Sequence, residues 1–333
     1  MKKVLSIVLS ALLLFCCAAP ALAAGDDTAS FGGYKHVFIM GVDGAGRFFK
    51  DADTPNFDRI FKDGAVDYTA RAETVTVSAQ NWGAILTGVS YLKHGMTNDS
   101  TGALERSSDT KYPSIFTYVR RAMPDATLAG FCNWDNINHG IIENDINVYK
   151  DHAGSDEEVA AKIVDYLNAG NAPALLFTQF DSVDHVGHSL GSASEEYIKQ
   201  IEAVDVLLGQ VYDAIVANGL IDDSLFLVVA DHGHTRPGGH GGLTMRETNV
   251  TLAAAGKTVV KGGSLDAITR NRDIAAIALY ALGVERPEHM TSRLPANLFD
   301  GVAGEARPAQ KDLPDTITAF FAWIITWFTG ITK

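Results

Sequence analysis

Residues 225–242 read Leu225-Phe-Leu-Val-Val-Ala-Asp-His-Gly-His-Thr-Arg-Pro-Gly-Gly-His-Gly-Gly242. The apolar run at the start is typical of a strand that is buried on both faces of a sheet. It ends on Asp231 and His232, and a glycine-rich loop then leads to His240. Ligands bind at the carboxyl ends of strands in open α/β sheets, where this strand places its Asp-His pair. Carboxylate and imidazole groups suit a divalent ion such as zinc or manganese; a strand followed by surface histidines is the alternative.

Two other stretches place polar side chains at the ends of predicted strands. An apolar run over residues 34–42 ends on Asp43, which either starts a turn with Gly44 or points into a site. The β-branched residues 74–77 lead to Ser78 at a strand-to-helix junction, where serine is commonly an N-cap. The same position presents a hydroxyl to a helix N-terminus, which favours phosphate. Ser78 is therefore a candidate for two roles, N-cap and nucleophile.

A further buried strand, residues 173–180, leads into Asp-Ser-Val-Asp184-His185-Val-Gly-His188. Asp184 and His188 are four residues apart, so a helical turn would aim both side chains at one ion. Salt-bridged or solvated side chains are the alternative. His185 is expected to point away from such a site.

Strands and helices alternate from residue 34 to residue 282, which predicts an α/β fold with a mostly parallel central sheet sandwiched by helices. The sequence contains no internal repeat and no long linker, so we expect one catalytic domain over residues 24–305. Residues 1–23 have the pattern of a secretory signal peptide: two lysines, an apolar segment and a small-x-small cleavage site. The mature protein is therefore expected to be exported.

The composition restricts the class of ligand. The chain has 333 residues, 20% of them charged, and a formal net charge of −13, which argues against a nucleic-acid-binding surface. A phosphate substrate remains compatible with this charge, because bound cations can reverse the local field. Removal of the signal peptide leaves Cys132 as the single cysteine, so no internal disulfide is expected.

Residues 306–333 differ from the rest of the chain. Their final part is almost uncharged and rich in Trp and Phe. A helix of about fifteen such residues reaches only ~23 Å, which is short of the ~30 Å hydrocarbon core of a bilayer. The tail is interpreted as an interfacial helix that contacts a membrane surface, or as a helix that docks on a partner or on the domain itself.

Together, the order and spacing of these residues resemble the alkaline phosphatase superfamily, most closely its nucleotide pyrophosphatase/phosphodiesterase type. The resemblance extends over residues 35–298. In that family the nucleophile lies nine residues before a Thr-Gly pair, which matches Ser78 before Thr87. The resemblance implies two divalent metal ions, Zn²⁺ first and Mn²⁺ as the alternative. It implies one ion held by Asp184, His188 and His240, and a second held by Asp43, Asp231, His232 and the Ser78 oxygen.

The resemblance also implies an activity. It implies hydrolysis of phosphodiester or pyrophosphate bonds in a small-molecule phosphate ester, through a phosphoseryl intermediate on Ser78. A phosphomonoesterase is the alternative within the enzymes, because these phosphodiesterases usually have Thr as the nucleophile. A catalytically silent metal-binding surface protein is the alternative outside them. A sulfatase is not expected, since the x-Pro-x-Arg pattern does not follow Ser78.

The chain departs from the family at the Asn that contacts a phosphoryl oxygen. Strict spacing from Ser78 selects Asp99 for this role, but an acid that faces a phosphate is unfavourable. Asn98 is therefore the predicted contact, and the role of Asp99 is left open.

Several other residues are candidates for substrate contact. Trp82 and Trp134 are candidates for stacking on the substrate, with burial in the core as the alternative. Lys93, His234 and Arg236 are candidates for phosphate contacts, with surface roles as the alternative.

Overall fold

The computed structural model describes residues 33–262 and 269–305. The predicted signal peptide, residues 1–23, and the apolar tail, residues 306–333, lie outside the described residues. Within the described ranges, no helix is both long and apolar enough to cross a bilayer.

A seven-stranded sheet forms the centre of the described chain. Its strands are β1 His36–Val42, β2 Ala65–Arg71, β3 Leu128–Cys132, β4 Tyr149–His152, β5 Leu175–Phe180, β6 Ser224–Ala230 and β7 Asn249–Ala255. Their order across the sheet is β2-β7-β6-β1-β5-β3-β4. The pairs β6-β1, β1-β5, β5-β3 and β3-β4 are parallel, and β7 is antiparallel to both β6 and β2. The prediction of a mostly parallel sheet is confirmed, with an antiparallel edge that the sequence did not indicate.

The central strands are buried because they are apolar throughout. Every residue of β5 and β6 is buried, and β1 is buried after its first residue. Continuous apolar strands of this kind need cover on both faces of the sheet.

Helices supply that cover in two layers. They are α1 Pro55–Phe61, α2 Ser78–Thr87, α3 Tyr91–His94, α4 Asn98–Ala103, α5 Ile115–Ala122, α6 Asn136–Gly140, α7 Asp156–Asn168, α8 Ser182–Leu190, α9 Glu195–Ala217, α10 Met245–Thr248 and α11 Asp273–Ala281. Two short 3-10 helices are also present, Phe48–Lys50 before α1 and Ile221–Asp223 before β6. In one layer α9 packs against α1, α7 and α8, and in the other α11 packs against α2 and α5.

Strand register brings the predicted site residues to one edge of the sheet. Val42, the last residue of β1, is paired with Phe180 of β5 on one side and with Ala230 of β6 on the other. The next residue after each of these strands is an aspartate, so Asp43, Asp181 and Asp231 leave the sheet side by side. Three neighbouring carboxylates at one sheet edge repel one another unless a cation or a proton is shared among them.

Candidate metal centre and nucleophile

The innermost group at this edge consists of Asp43, Asp231 and His232, each at most 1% exposed. His232 Nε2 lies 3.5 Å from Asp43 Oδ1 and 3.3 Å from Asp231 Oδ2. Neither of these buried oxygens has a hydrogen-bond partner among the described residues. The other Asp231 oxygen accepts from the backbone N–H groups of Gly44 and His232. Buried oxygens that face an imidazole nitrogen and have no donor form a geometry that suits a cation.

Ser78 lies beside this inner group. It is the first residue of α2, and Val77 with extended backbone (φ −126°, ψ 141°) is the N-cap, so the N-cap interpretation of Ser78 is wrong. Ser78 is 8% exposed, and its Oγ lies 3.2 Å from His232 Nε2. Since the hydroxyl does not cap the helix, it is available at the helix N-terminus, where the dipole favours an anion.

A second, more accessible group consists of Asp184, His188 and His240. The first two lie on α8, and Asp184 Oδ2 is 3.2 Å from His188 Nε2. His240 Nε2 lies 3.1 Å from His188 Nε2 and 3.6 Å from Asp184 Oδ1. The Nδ1 of His240 lies 2.6 Å from the carbonyl oxygen of Thr76. If Nδ1 carries the ring proton and donates it to that carbonyl, Nε2 is left as a lone-pair ligand.

Among the described residues, the potential ligand atoms fall into three overlapping groups, each with its atoms within 4.8 Å of one another. The inner group and the accessible group share no residue. The third group, Asp184, His232 and His234, takes one residue from each of the other two. Of these three groups, the inner and the accessible groups are the pair that can hold two cations at once without sharing a residue.

His234 lies in the interior, although the sequence predicted a phosphate contact or a surface role for it. Its side chain is fully buried, and its Nε2 lies 2.9 Å from Asp184 Oδ1, so it lies behind a potential ligand rather than on the surface. Gly44 and Gly187 make room for the ring, because a side chain at either position would overlap with it. A sequence signal exists: His234 follows His232 by two residues, and Nε2 of each ring faces Asp184 Oδ1, at 4.0 Å from His232 and 2.9 Å from His234.

Burial sets the protonation of the inner group when no cation is bound. Burial and repulsion from Asp231 and Asp184 raise the pKa of Asp43 well above its usual value. Burial likewise raises the pKa of Asp231 well above its usual value. Burial and repulsion from His240 lower the pKa of His232 well below its usual value. A neutral imidazole beside carboxylates that are costly to ionise is a site at which a cation can replace protons.

In the accessible group, hydrogen bonds determine the direction in which the pKa values of Asp184 and His188 shift. Burial alone would raise the pKa of Asp184, but hydrogen bonds from His188 and His234 outweigh it and hold that pKa well below the usual value. The same bond to Asp184 raises the pKa of His188. Burial lowers the pKa of His240 to about 4. At neutral pH this group therefore offers an ionised carboxylate and a neutral His240.

Asn98, and not Asp99, lies beside the nucleophile helix. Asn98 Oδ1 accepts from the backbone N–H of Ala79 at 3.0 Å. Asp99 is exposed in the first turn of α4, where an acid suits the helix dipole. The contact of Asn98 with a phosphoryl oxygen stays a prediction.

The remaining candidates for substrate contact differ in burial and in their hydrogen bonds. Trp82 is fully buried and donates from Nε1 to Asp43, so stacking on a substrate is wrong for this residue. Trp134 is only partly buried. Lys93 donates to the carbonyl of His289, and Arg236 is exposed.

The fold and the two ligand groups beside a serine define a class of protein, the metal-dependent phosphoesterases of the alkaline phosphatase superfamily. A match to type I phosphodiesterase / nucleotide pyrophosphatase extends over residues 37–281. The chain belongs to this family, whose description names phosphodiesterases and nucleotide pyrophosphatases.

Solved structures with a similar fold include phosphodiesterases and sulfatases. A murine ectonucleotide pyrophosphatase / phosphodiesterase 5, an inactive form in complex with AMP, is 16% identical with a TM-score of 0.61, covering 77% of this chain and 97% of that one. A 2-O GAG sulfatase is 12% identical with a TM-score of 0.62, covering 78% of this chain and 72% of that one. At such identities the likeness shows the shared fold.

Curated relatives match over shorter segments. GPI ethanolamine phosphate transferase 3 of Schizosaccharomyces pombe is 30% identical over 132 residues, 38% of this chain and 14% of the relative. The 2,3-bisphosphoglycerate-independent phosphoglycerate mutase of Gluconobacter oxydans is 34% identical over 145 residues, 41% of this chain and 26% of the relative. The matched segments thus span about a quarter or less of these relatives.

Proposed function

We propose that this protein hydrolyses phosphodiester or pyrophosphate bonds of small-molecule substrates, through a phosphoseryl intermediate on Ser78 at a centre of two divalent cations. The observation that carries the proposal is the position of Ser78 Oγ, 3.2 Å from His232 Nε2 at the start of α2. A hydroxyl in this position adjoins the inner ligand group and a helix N-terminus at the same time. Both features favour a phosphoryl group next to the nucleophile.

The residues fit two cations of the zinc type. The inner group offers two buried oxygens without donors and one neutral imidazole, and the accessible group offers one carboxylate and two imidazoles. Mixed oxygen and nitrogen ligands favour Zn²⁺ over Mg²⁺ or Ca²⁺, which prefer all-oxygen sites, and leave Mn²⁺ as the alternative. When bound, such ions supply Lewis-acid stabilisation of phosphoryl oxygens and favour the ionised form of a neighbouring hydroxyl.

The reaction divides into two displacements at phosphorus. In the first, an Oγ–P bond to Ser78 forms while the bond from phosphorus to the leaving oxygen breaks, and the proton lost by the Ser78 hydroxyl is balanced by protonation of that leaving oxygen. In the second, water attacks phosphorus, the Oγ–P bond breaks, and Ser78 regains a proton at the expense of the attacking water as the phosphate product departs. Splitting one displacement into two in this way is the advantage of covalent catalysis.

Asn98 is proposed to orient the phosphoryl group. Its Oδ1 already accepts from Ala79 N–H, so its Nδ2 is the side-chain donor that remains for a phosphoryl oxygen. The Ala79 bond also fixes the amide relative to the helix that carries Ser78. A donor held in advance where charge develops lowers the barrier without reorganisation.

A phosphomonoesterase is the second candidate, and one observation favours it. The nucleophile is Ser78, whereas Thr is usual in the phosphodiesterases that the chain resembles.

Substrate preference and intermediate can be tested together. Zinc-loaded protein is assayed with an aryl phosphate diester and the matching monoester, and acid-quenched samples are analysed for a phosphorylated peptide. We expect faster diester hydrolysis and a phosphate adduct on the peptide that contains Ser78. Ser78→Ala should abolish both, whereas Ser107→Ala, which alters an exposed serine, should retain both. Monoester preference with the same adduct supports the second candidate, and equal background rates for wild type and Ser78→Ala would refute enzymatic function at this site.

Export is a further part of the proposal. Residues 1–23 support it through their signal-peptide pattern, and the apolar tail after residue 306 supports contact with a membrane surface. N-terminal sequencing of the protein from an exported fraction should give a start near Ala24. An intact Met1 in the cytosolic fraction would contradict export.

A further inference from the structure

We propose that Trp82 and Gln179 are positioning residues that hold the Asp43 carboxylate so that only its Oδ1 is offered to a cation. This inference rests on the proposed cation centre and assigns the inner group two supporting residues. Neither residue lies among the potential ligands, and their chemistry is that of hydrogen-bond donors.

Both donors converge on a single oxygen. Trp82 Nε1–H donates to Asp43 Oδ2 at 2.8 Å, and Gln179 Nε2–H donates to the same oxygen at 3.0 Å. Asp43 Oδ1, by contrast, has no hydrogen-bond partner among the described residues and faces His232 Nε2 at 3.5 Å. The carboxylate therefore has one saturated oxygen and one oxygen with free lone pairs. That asymmetry favours a single-oxygen contact with a cation on the His232 side.

The amide of Gln179 can be oriented without ambiguity. Its Oε1 accepts from the backbone N–H of Trp134 at 2.9 Å, and a backbone N–H can only donate. The NH₂ group must therefore face the two carboxylates, Asp43 Oδ2 at 3.0 Å and Asp181 Oδ1 at 2.7 Å. Each amide hydrogen then has one acceptor, and the side chain is fully buried and fully satisfied.

Trp82 is held as firmly as Gln179. The indole is fully buried and packs over Gly41 of β1, where a Cβ would lie 2.6 Å from the ring. Phe177 meets it edge-on, with ring centroids 5.6 Å apart at 73°. The absence of a side chain at Gly41 thus leaves a slot that positions the indole N–H toward Asp43.

The position of Trp82 links the nucleophile to the cation ligand. Trp82 follows Ser78 by four residues on α2, which is about one helical turn. The Trp82–Asp43 bond therefore ties the helix that carries the nucleophile to the strand end that carries the ligand. Residues that donate to metal ligands typically contribute 10–100-fold to metal affinity, so the expected effect of removing this donor is selective loss of inner-site affinity.

Cation binding to the full-length protein tests the inference. Zinc affinity and stoichiometry are measured by competition with a chromophoric chelator, and tryptophan emission is recorded during the titration. Trp82→Phe removes the N–H donor and keeps an aromatic ring in the slot, and Gln179→Met removes the amide donors at similar volume. Trp134→Phe is the matched control, because it also removes one indole but leaves both donors to Asp43 in place.

We expect wild type and Trp134→Phe each to bind two ions, and the affinity for each ion to be the same in the two proteins. Trp82→Phe and Gln179→Met should each weaken one of the two ions by about 10–100-fold and leave the other unchanged. The zinc-dependent change in emission should persist in Trp134→Phe and be lost in Trp82→Phe. If Trp82→Phe and Gln179→Met bound both ions as tightly as wild type, the positioning role would be refuted. An equal loss of affinity at both sites with a lowered Tm would refute it too. Neither result would refute the proposed cation centre. Fewer than two ions bound to wild type would overturn the proposed cation centre as well.

Discussion

The two ligand groups are built from different parts of the fold. The inner group stands on strand ends whose register is fixed by parallel pairing, and its side chains are at most 1% exposed. The accessible group stands on helix α8 and the loop after β6, and the His188 side chain is 53% exposed. The contrast shows that one candidate ligand group is buried beneath the protein surface while its neighbour stays open to solvent.

Separate anchors hold the accessible group. The buried Asp156 carboxylate accepts from the backbone N–H groups of Asp181 and Ser182, at 2.7 and 3.0 Å, where α8 begins. The buried Glu247 accepts from Gly242 N–H at 2.7 Å and from the Thr244 hydroxyl at 2.6 Å, and so fixes the loop that carries His240. The accessible group is thus positioned by buried carboxylates that bind the start of a helix and a loop. The inner group is positioned by the register of the sheet.

The largest effect is expected from an inner ligand. Asp231→Asn keeps an acceptor for the N–H groups of Gly44 and His232 but removes the charge that a cation requires. We expect kcat/KM to fall by about 10³-fold, which corresponds to a loss of several kcal/mol of transition-state stabilisation. Steady-state assays over a range of zinc concentrations should show no recovery, because the rigid inner site offers no replacement ligand. Full recovery of activity at high zinc would show that the inner group is no more rigid than the accessible group.

An accessible ligand should give a smaller effect that zinc can reverse. His188→Ala leaves Asp184 and His240 in place at a position that solvent reaches. We expect about 100-fold loss of kcat/KM at limiting zinc, with substantial recovery as zinc is raised. The same zinc titration serves as the measurement. A loss that excess zinc does not change would show that this group is as rigid as the inner one.

The smallest effect is expected in the pH dependence of the folding stability of the protein without bound cations. The pKa of His188 is raised by Asp184, so the pair stabilises the fold below about pH 6.5 and this contribution is lost as pH rises through the raised pKa. Because His188 is half exposed, we expect less than about 1 kcal/mol. The inner carboxylates, whose pKa values are raised, act in the same direction.

Denaturant titrations of chelator-treated protein above pH 6.5 measure this effect. Wild type should lose stability as pH rises, and His188→Gln should lose less. An increase in the stability of wild type over this range would contradict the assigned direction.

Much of the site could be predicted from the sequence, for identifiable physical reasons. Asp43 and Asp231 follow apolar runs, and residues after buried parallel strands meet at one sheet edge. Asp184 and His188 are four apart, and α8 indeed brings their side chains within 3.2 Å of each other. These are local patterns that a few residues specify.

Features that depend on pairing between distant segments could not be predicted. The donors to Asp43 come from α2 and β5, and neither Trp82 nor Gln179 carries a local signal for that contact. The antiparallel β7 arises from sheet order, which strand patterns alone do not encode. The choice between Asn98 and Asp99 depended on where α4 begins, one residue after its cap Thr97.

Anomalous diffraction at the zinc edge from crystals of zinc-loaded protein would show directly whether the protein holds two cations beside Ser78. We predict two peaks about 4 Å apart. One should lie among Asp43, Asp231 and His232 beside Ser78 Oγ, and the other among Asp184, His188 and His240. A single peak, or a peak held by Asp184, His232 and His234 in place of these two, would contradict it.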